Sequence, residues 1–409
     1  MTTLPPLNRV LTFEDARHLV EQHASGLRPT HAESMCLLDS AGRILAEPIF
    51  ADRDFPPFRR ATRDGYAVRA ADLGSLPVTL NVVGEIKAGA SANSPTIANG
   101  QAAAIMTGAA APIGSDAVVM VEYTAAKGSE VEITRGVFAG ENIVPSGAEA
   151  KCGDQLLTAG TRVDHRAIAV AASIGKSQLH VYKKPRVAIL ATGDEIVQID
   201  SAPGPFEIRN SNSYSLAAQV AAVGGDPVVL SVAPDETNRL RELIAEGFKA
   251  DLLLLSGGVS MGKYDLVEQV LTEFGAEFFF TGAQIQPGRP IVFGKSKNKY
   301  FFGLPGNPIS TMVTFELFVR PILDALAGLA PQKLMFMHAK LKAEIKAKTG
   351  LTRFLPAILS GEFDQTEVEI VQWQGSGDIA AAARANCYVV IPPDRDRIAA
   401  GEWIAVLKC

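Results

Sequence analysis

The chain has 409 residues, 47% hydrophobic and 20% charged, a composition that supports roughly two to four buried cores and excludes a disordered or fibrous protein. A formal net charge of -5 without a long basic run argues against nucleic acid as the main partner, and no apolar stretch reaches the about 20 residues of a membrane span. The N-terminus lacks the apolar core of a signal peptide, and Cys36, Cys152, Cys387 and Cys409 form no CxxC pair, so neither a zinc site nor a disulfide framework is expected and the cytoplasm fits best.

Residues 12–25 predict an amphipathic helix, with Thr12 as its cap and Asp15 at the acidic position of a capping box. Residues 34–50 read as short mixed elements, followed by a hinge at Phe55-Pro56-Pro57-Phe58. Between 51 and 141, β-prone runs at 78–83, 117–122 and 131–134 alternate with Gly- and Ser-rich turns, which predicts a small β-rich unit. Residues 142–182 hold a helical stretch at 164–173 and are expected to pack back on residues 1–50, making the β-rich unit an insertion.

From 183 to 328 the texture changes. Strands are predicted at 187–191, 228–232, 252–255 and 300–304, alternating with helices at 211–223, 236–248, 264–274 and 308–326. Leu216, Val220 and Val223 share one helical face, Gly224-Gly225 stops that helix, and Pro321 is expected to kink the last one. This alternation implies a parallel, doubly wound sheet. Residues 328–333 read as a linker, and 334–409 as a small β-barrel or sandwich. The expected fold is multidomain, α/β plus β.

Ligands of an open parallel sheet bind beyond the carboxyl ends of its strands. Four unusual loops leave that edge: Thr192-Gly193-Asp194-Glu195, Ala233-Pro234-Asp235-Glu236, residues 257–265, and Leu304-Pro305-Gly306-Asn307-Pro308. Their glycines expose backbone N–H groups, and the following helices present positive ends, which suits a phosphate. Asp194, Glu195, Asp235 and Asp265 would repel that phosphate unless a hard cation such as Mg²⁺ bridges them. Taken singly, Asp235 and Asn307 are ordinary helix caps and Gly257-Gly258 a tight turn. Four such loops on one edge favour a site. Residues 257–263 also match GxxxxGK, but Tyr264 stands where a phosphate-binding loop needs Ser or Thr, which disfavours an ATPase.

These loops, with Ser211-Asn212 and the ordered segments Gly257-Gly258-Val259-Ser260, Gly262 and Asp265, resemble the catalytic domain of molybdopterin molybdenumtransferases, the family that includes the C-terminal part of gephyrin. Asp64-Gly65-Tyr66-Ala67, Met106-Thr107-Gly108-Ala109, Gly140-Glu141-Asn142-Ile143 and Gln374-Gly375-Ser376 extend the likeness over nearly the whole chain. The resemblance implies four domains and a homodimer whose site joins the catalytic domain of one subunit to the β-rich arm of the other. It implies insertion of molybdate into adenylylated molybdopterin with release of AMP, dependent on Mg²⁺, and partnership with molybdopterin adenylyltransferase and molybdoenzymes. By position, Glu195, Asp235 and Asp265 would hold metal or orient substrate, while Asp64 and Thr107 would arrive from the other subunit. Thr192, Gly193, Asp194, Gly257, Gly258, Ser260, Lys263, Asn307 and Ser376 would bind substrate, with Pro305 and Pro308 shaping the wall.

The chain departs from the family pattern at several places. Arg59-Arg60-Ala61 replaces Asp-Asn-Ser or Asp-Arg-Ser, and Glu149 replaces an aspartate. Gln286 and Arg289 stand where the family has lysines, Gly282 where some members have lysine, and Leu351 and Pro356 where arginine is common. The acidic half of the site is therefore better kept than the basic half, which implies weaker molybdate affinity, a different oxyanion such as tungstate, or a relocated cation, with Lys263, Arg289 or Arg353 as the candidates. A molybdopterin adenylyltransferase and a non-catalytic molybdopterin-binding paralogue are the alternative functions.

Overall fold

A computed structural model describes residues 9–408 apart from residue 30, residues 91–94 and residues 259–265. The first helix is Phe13–Ser25, and the Thr12 hydroxyl accepts a 3.1 Å hydrogen bond from the Asp15 N–H as its cap. Segments on either side of the β-rich stretch then pair with each other. Ala32–Cys36 runs antiparallel to Gln178–Tyr182, and Ile49–Phe50 to Gln155–Leu157. With helix His165–Ser173, capped by Asp164, they enclose Leu45, Val163, Ala167, Leu179 and Val181.

The β-rich stretch is a six-stranded sheet in the order Ala117–Met120, Gly65–Val68, Gln101–Ile105, Val78–Ile86, Glu130–Ile133, Thr124–Lys127. It has a core on each face, one around Ile86, Ile105 and Val118, the other around Leu80, Val119 and Val131. The three β-prone runs are strands. Gly65–Val68 and Gln101–Ile105 lack that signal, since Gly65, Ala67 and Ala102 to Ala104 are residues of low strand propensity.

The central sheet has the order Asp226–Val229, Arg186–Ala191, Leu252–Ser256, Lys299–Leu304, Val292–Ser296, Glu277–Phe280. The first four strands are parallel, as expected, and Leu252–Ser256 is buried throughout. The last two are an antiparallel addition that the sequence pattern does not predict. Helices Ser211–Ala222, Thr237–Gly247 and Leu266–Glu273 follow the strands.

The expected long helix at 308–326 is three pieces: Pro308–Thr314, a π-turn at Phe315–Val319, and Arg320–Leu326. The irregularity begins a turn before Pro321, because a proline has no N–H for the carbonyl four residues back. That carbonyl belongs to Leu317, and the Arg17 Nη1 of the first helix donates to it.

Downstream, Met337–Leu341, Thr352–Ser360, Glu367–Ile370, Cys387–Ile391 and Trp403–Lys408 close into a five-stranded barrel, because Thr352–Ser360 pairs with both Glu367–Ile370 and Cys387–Ile391. Its interior holds Ala357, Val368, Val389 and Val406. Phe354, Tyr388, Val390 and Leu407 leave it to join the α/β core beside Phe280, Phe293 and Phe318. Cys36, Cys152 and Cys387 are free thiols. Among the described residues, no helix is long and apolar enough to cross a membrane.

Candidate functional site

The parallel strands end level with one another. Ala191 is in register with Ser256, and Ser256 with Leu304, while Thr192 bridges to Ala233 in the loop after Asp226–Val229. Backbone hydrogen bonds stitch the exits together: Thr192 N–H to the Ser256 carbonyl at 3.0 Å, Gly193 N–H to Ala233 at 3.2 Å, and Gly257 N–H to Leu304 at 3.2 Å. Gly258 has φ +64°, and a Cβ there would lie 2.6 Å from the Thr192 hydroxyl and 2.8 Å from Val267 Cγ2. Glycine is needed because the backbone itself forms the floor.

Two acceptors on this floor are sealed from solvent without a hydrogen-bond partner, Thr192 Oγ1 and Asn212 Oδ1. The amide nitrogen of Asn212 is fully used, donating to Ser256 Oγ at 3.0 Å and to the Gly306 carbonyl at 2.7 Å. Asn212 thus clamps the third strand exit to the fourth and aims its oxygen inward. Sequence reasoning places Asn212 in a motif without a role and misses Ser256. A polar residue closing an otherwise apolar strand is the signal that could have found Ser256.

The acids gather on the same edge. Asp194 Oδ1 accepts the Asp235 N–H at 3.0 Å. Burial raises the Asp235 carboxyl above its ordinary value, and the charges of Asp194 and Glu195 raise it further. Asp235 is not the helix cap: the helix starts at Thr237, Glu236 occupies the cap position, and no side chain bonds there. Among the described residues, no three His, Cys, Asp or Glu side chains group closely enough to hold an ion. Ser260, Lys263 and Asp265 lie outside the described residues, as does the end of the GxxxxGK stretch.

At the fourth exit, Asn307 also fails to cap its helix with its side chain. Its amide donates instead to Ser376 Oγ at 2.9 Å, and the Ile309 N–H donates to the Ser376 carbonyl at 3.0 Å. Ser376 of the C-terminal region is thereby fixed against the Pro305–Pro308 loop. Arg353, on a barrel strand, is 8% exposed and donates from Nε to Gln286 Oε1 at 2.9 Å. Arg289 is exposed three residues further on from Gln286.

Asp64 and Thr107 meet each other rather than this edge. The Thr107 N–H donates to Asp64 Oδ1 at 2.6 Å, and that bond, with the Thr107 hydroxyl, holds the Asp64 carboxyl below its usual range. The following Gly65 passes so close to the neighbouring strand that a Cβ would sit 1.9 Å from the Val119 carbonyl oxygen. Two departures from the family pattern pair here: Arg60 Nη2 lies 2.8 Å from Glu149 Oε1. A third departure, Gln286, accepts a hydrogen bond from Arg353 Nε at 2.9 Å.

Comparison with known proteins covers the chain in three matches. Residues 11–175 match the MoeA N-terminal region (domain I and II), 188–325 a probable molybdopterin binding domain, and 338–409 the MoeA C-terminal region (domain IV). Among curated relatives, the molybdopterin molybdenumtransferase of a Nostoc species is 36% identical over 90% of this chain and 86% of its own length. Those of Bacillus subtilis and Haemophilus influenzae are 34% and 33% identical, over 92% and 97% of this chain and 89% and 98% of theirs. Among solved structures, a molybdopterin biosynthesis MoeA protein from Pyrococcus horikoshii is 32% identical, covering 98% of this chain and 99% of its own with a TM-score of 0.72. A second solved structure, also a molybdopterin biosynthesis MoeA protein and from Pyrococcus horikoshii OT3, is 28% identical, covering 98% and 100%, with a TM-score of 0.80. Full-length relatives, all three regions in order, and the arrangement of the strand exits agree: the chain belongs to the molybdopterin molybdenumtransferase family of enzymes.

Proposed function

We propose that the strand-end edge binds adenylylated molybdopterin and that this chain transfers molybdenum from molybdate to its dithiolene sulfurs, releasing AMP, in molybdenum cofactor biosynthesis. The observation that carries this reading is the convergence of four strand exits on one edge, where the part-exposed Gly257 and the exposed Gly258 offer bare backbone to a ligand. The glycine backbone at 257–258 is the proposed seat of the substrate's phosphates. Ser376, held by Asn307, brings the C-terminal barrel to the rim.

Transfer needs orientation and charge neutralisation at a phosphoanhydride rather than a protein nucleophile. Bound Mg²⁺ would supply that neutralisation. Glu195, Asp235 and Asp265 are its proposed holders. The raised Asp235 carboxyl fits this role, since crowded carboxylates lose their mutual repulsion when a cation sits among them. Asp64, kept ionised by Thr107, is proposed to act on the site of a second subunit in a homodimer. The test is purified protein with adenylylated molybdopterin, molybdate and Mg²⁺. Molybdate-dependent AMP release and activation of an apo-molybdoenzyme are expected; tight pterin binding with neither would mean a carrier.

A further inference from the structure

The N-terminal unit and the α/β domain meet at Lys183-Lys184-Pro185, where the chain passes from strand Gln178–Tyr182 into strand Arg186–Ala191. Beside this crossing lies a recess of about 200 Å³, partly open to solvent. Arg43, Arg162, Lys183 and Lys184 line one side, and Val223 and Gly224 of the α/β domain line the other. The volume is below the roughly 300–1,000 Å³ of pockets that take whole organic ligands, so it suits a small ion or a single phosphate group. It also lies far from the strand exits. Lys184 precedes Arg186–Ala191 and Gly224 precedes Asp226–Val229, which puts both at the entry ends of parallel strands. A six-residue strand, about 20 Å long, separates them from the exit loops.

The cations here outnumber their acids. Arg43 is 8% exposed and lies 2.6 Å from Glu33, and Arg162 lies 3.4 Å from Asp324. Both acids are shared: Asp324 also sits 3.6 Å from Arg320, and the charge of Lys183 acts on Glu33. With Glu316, the other partner of Arg320, three acids serve the four lining cations and Arg320. The two arginine forks are fixed. Arg43 donates to Glu33, Met35 Sδ and the Tyr182 carbonyl, and Arg162 to Asp324 and the Gly42 and Val223 carbonyls. Gly224 has φ +98°, and a Cβ there would lie 3.4 Å from Arg162 Nη1, so glycine leaves the fork its room. Among the described residues, the Nε–H of each arginine and the ammonium groups of Lys183 and Lys184 meet no acceptor. Surplus positive charge held in a partly enclosed recess, with donors to spare, attracts an anion.

We propose that this recess binds a phosphate-type anion, free or carried by a nucleotide, and that the bound anion fastens the N-terminal unit to the α/β domain. An oxyanion presents several acceptors at once, and its charge offsets the surplus. The inference stands independently of the reaction proposed at the strand exits.

The test is hydrogen exchange of the full chain, read by mass spectrometry over residues 183–186 and 222–226, with inorganic phosphate and, separately, with AMP at constant ionic strength. Reading this seam separates the recess from any phosphate held at the strand exits. At least one of the two should slow exchange there. Lys183→Gln/Lys184→Gln should raise the concentration for half-protection by roughly 10- to 100-fold, as loss of a charge-assisted hydrogen bond does. Both lysines are exposed, so this variant should keep the parent's Tm. Arg162→Lys, which keeps the charge but not the fork, covers a misfolded first variant and should shift half-protection in the same direction. Protection by phosphate at or below the concentration needed for AMP identifies a free ion, and protection by AMP at the lower concentration identifies a nucleotide. No slowing by either anion, or the same half-protection concentration in the parent and both variants, overturns the inference.

Discussion

At Asp235 the protein keeps three acids on one strand edge, and the carboxyl is raised by burial first and then by Asp194 and Glu195. A carboxyl with a raised folded-state pKa contributes stability that is fully present below its unfolded pKa and is lost as pH rises through the folded value. Near neutral pH the ionised group therefore strains the fold, and Asp235→Asn should raise Tm in the absence of divalent metal. The same substitution should lower molybdenum transfer by roughly 10²-fold if Asp235 holds the cation. Thermal scans with and without Mg²⁺ check both halves: Mg²⁺ should stabilise the parent more than the variant, and less as pH falls through the raised value. A variant that is less stable without metal would contradict the repulsion argument. Gly258 is a second test at this scale. Gly258→Ala forces a methyl against the Thr192 hydroxyl at a positive φ, and should cost about 1–3 kcal/mol in urea denaturation together with most of the activity. Residues such as Gly258 and Asp194 are legible in the sequence because backbone approach and clustered charge leave their mark locally. Asn212 is not, since its role comes from contacts with Ser256 and Gly306, 44 and 94 residues away.

Among the elements, legibility follows burial. Arg186–Ala191 and Leu252–Ser256 are covered on both faces, so they read as unbroken apolar runs. The antiparallel edge, Glu277–Phe280 and Val292–Ser296, carries its aromatic residues beside glycine, lysine and serine, and its pairing depends on a neighbour that the local pattern does not name. The helix from Pro308 is legible at its start and not in its middle. Pro321 predicts a kink in a continuous helix, but its effect is shared with a π-turn, and the Leu317 carbonyl takes a donor from the N-terminal helix. Arg17 is 8% exposed, so Arg17→Met would leave that carbonyl buried and unpaired, at about 1–3 kcal/mol. In a Pro321→Ala background the restored N–H can reach the same oxygen, and the cost of Arg17→Met should shrink. A double-mutant cycle from urea midpoints measures the difference. Additive effects would mean that Arg17 stabilises the first helix by another route, such as its contact with Glu21.

In the whole molecule, chain order and spatial order diverge. The sequence passes through the β-rich arm between two segments that share a core around Leu45 and Leu179, and the barrel, last in sequence, returns to the α/β domain through Phe354 and Tyr388. Ser376 reaches the strand exits that way. Asp64 and Thr107 do not: among the described residues their hydrogen bonds stay within the arm. If they act on the site, the site belongs to another subunit. Such an arrangement makes a prediction that a self-contained site does not. Asp64→Ala damages the arm's contribution and Glu195→Ala the edge's, and each homodimer should be inactive. Unfolding and refolding the two together gives mixed dimers, in which one site receives both lesions and the other receives neither. With random pairing half the dimers are mixed and half of their sites intact, so about one quarter of wild-type activity should return. Sites formed within one chain would give none, because every chain in the mixture carries a lesion. Activity measured against the ratio of the two variants should peak at equal amounts and vanish at either extreme.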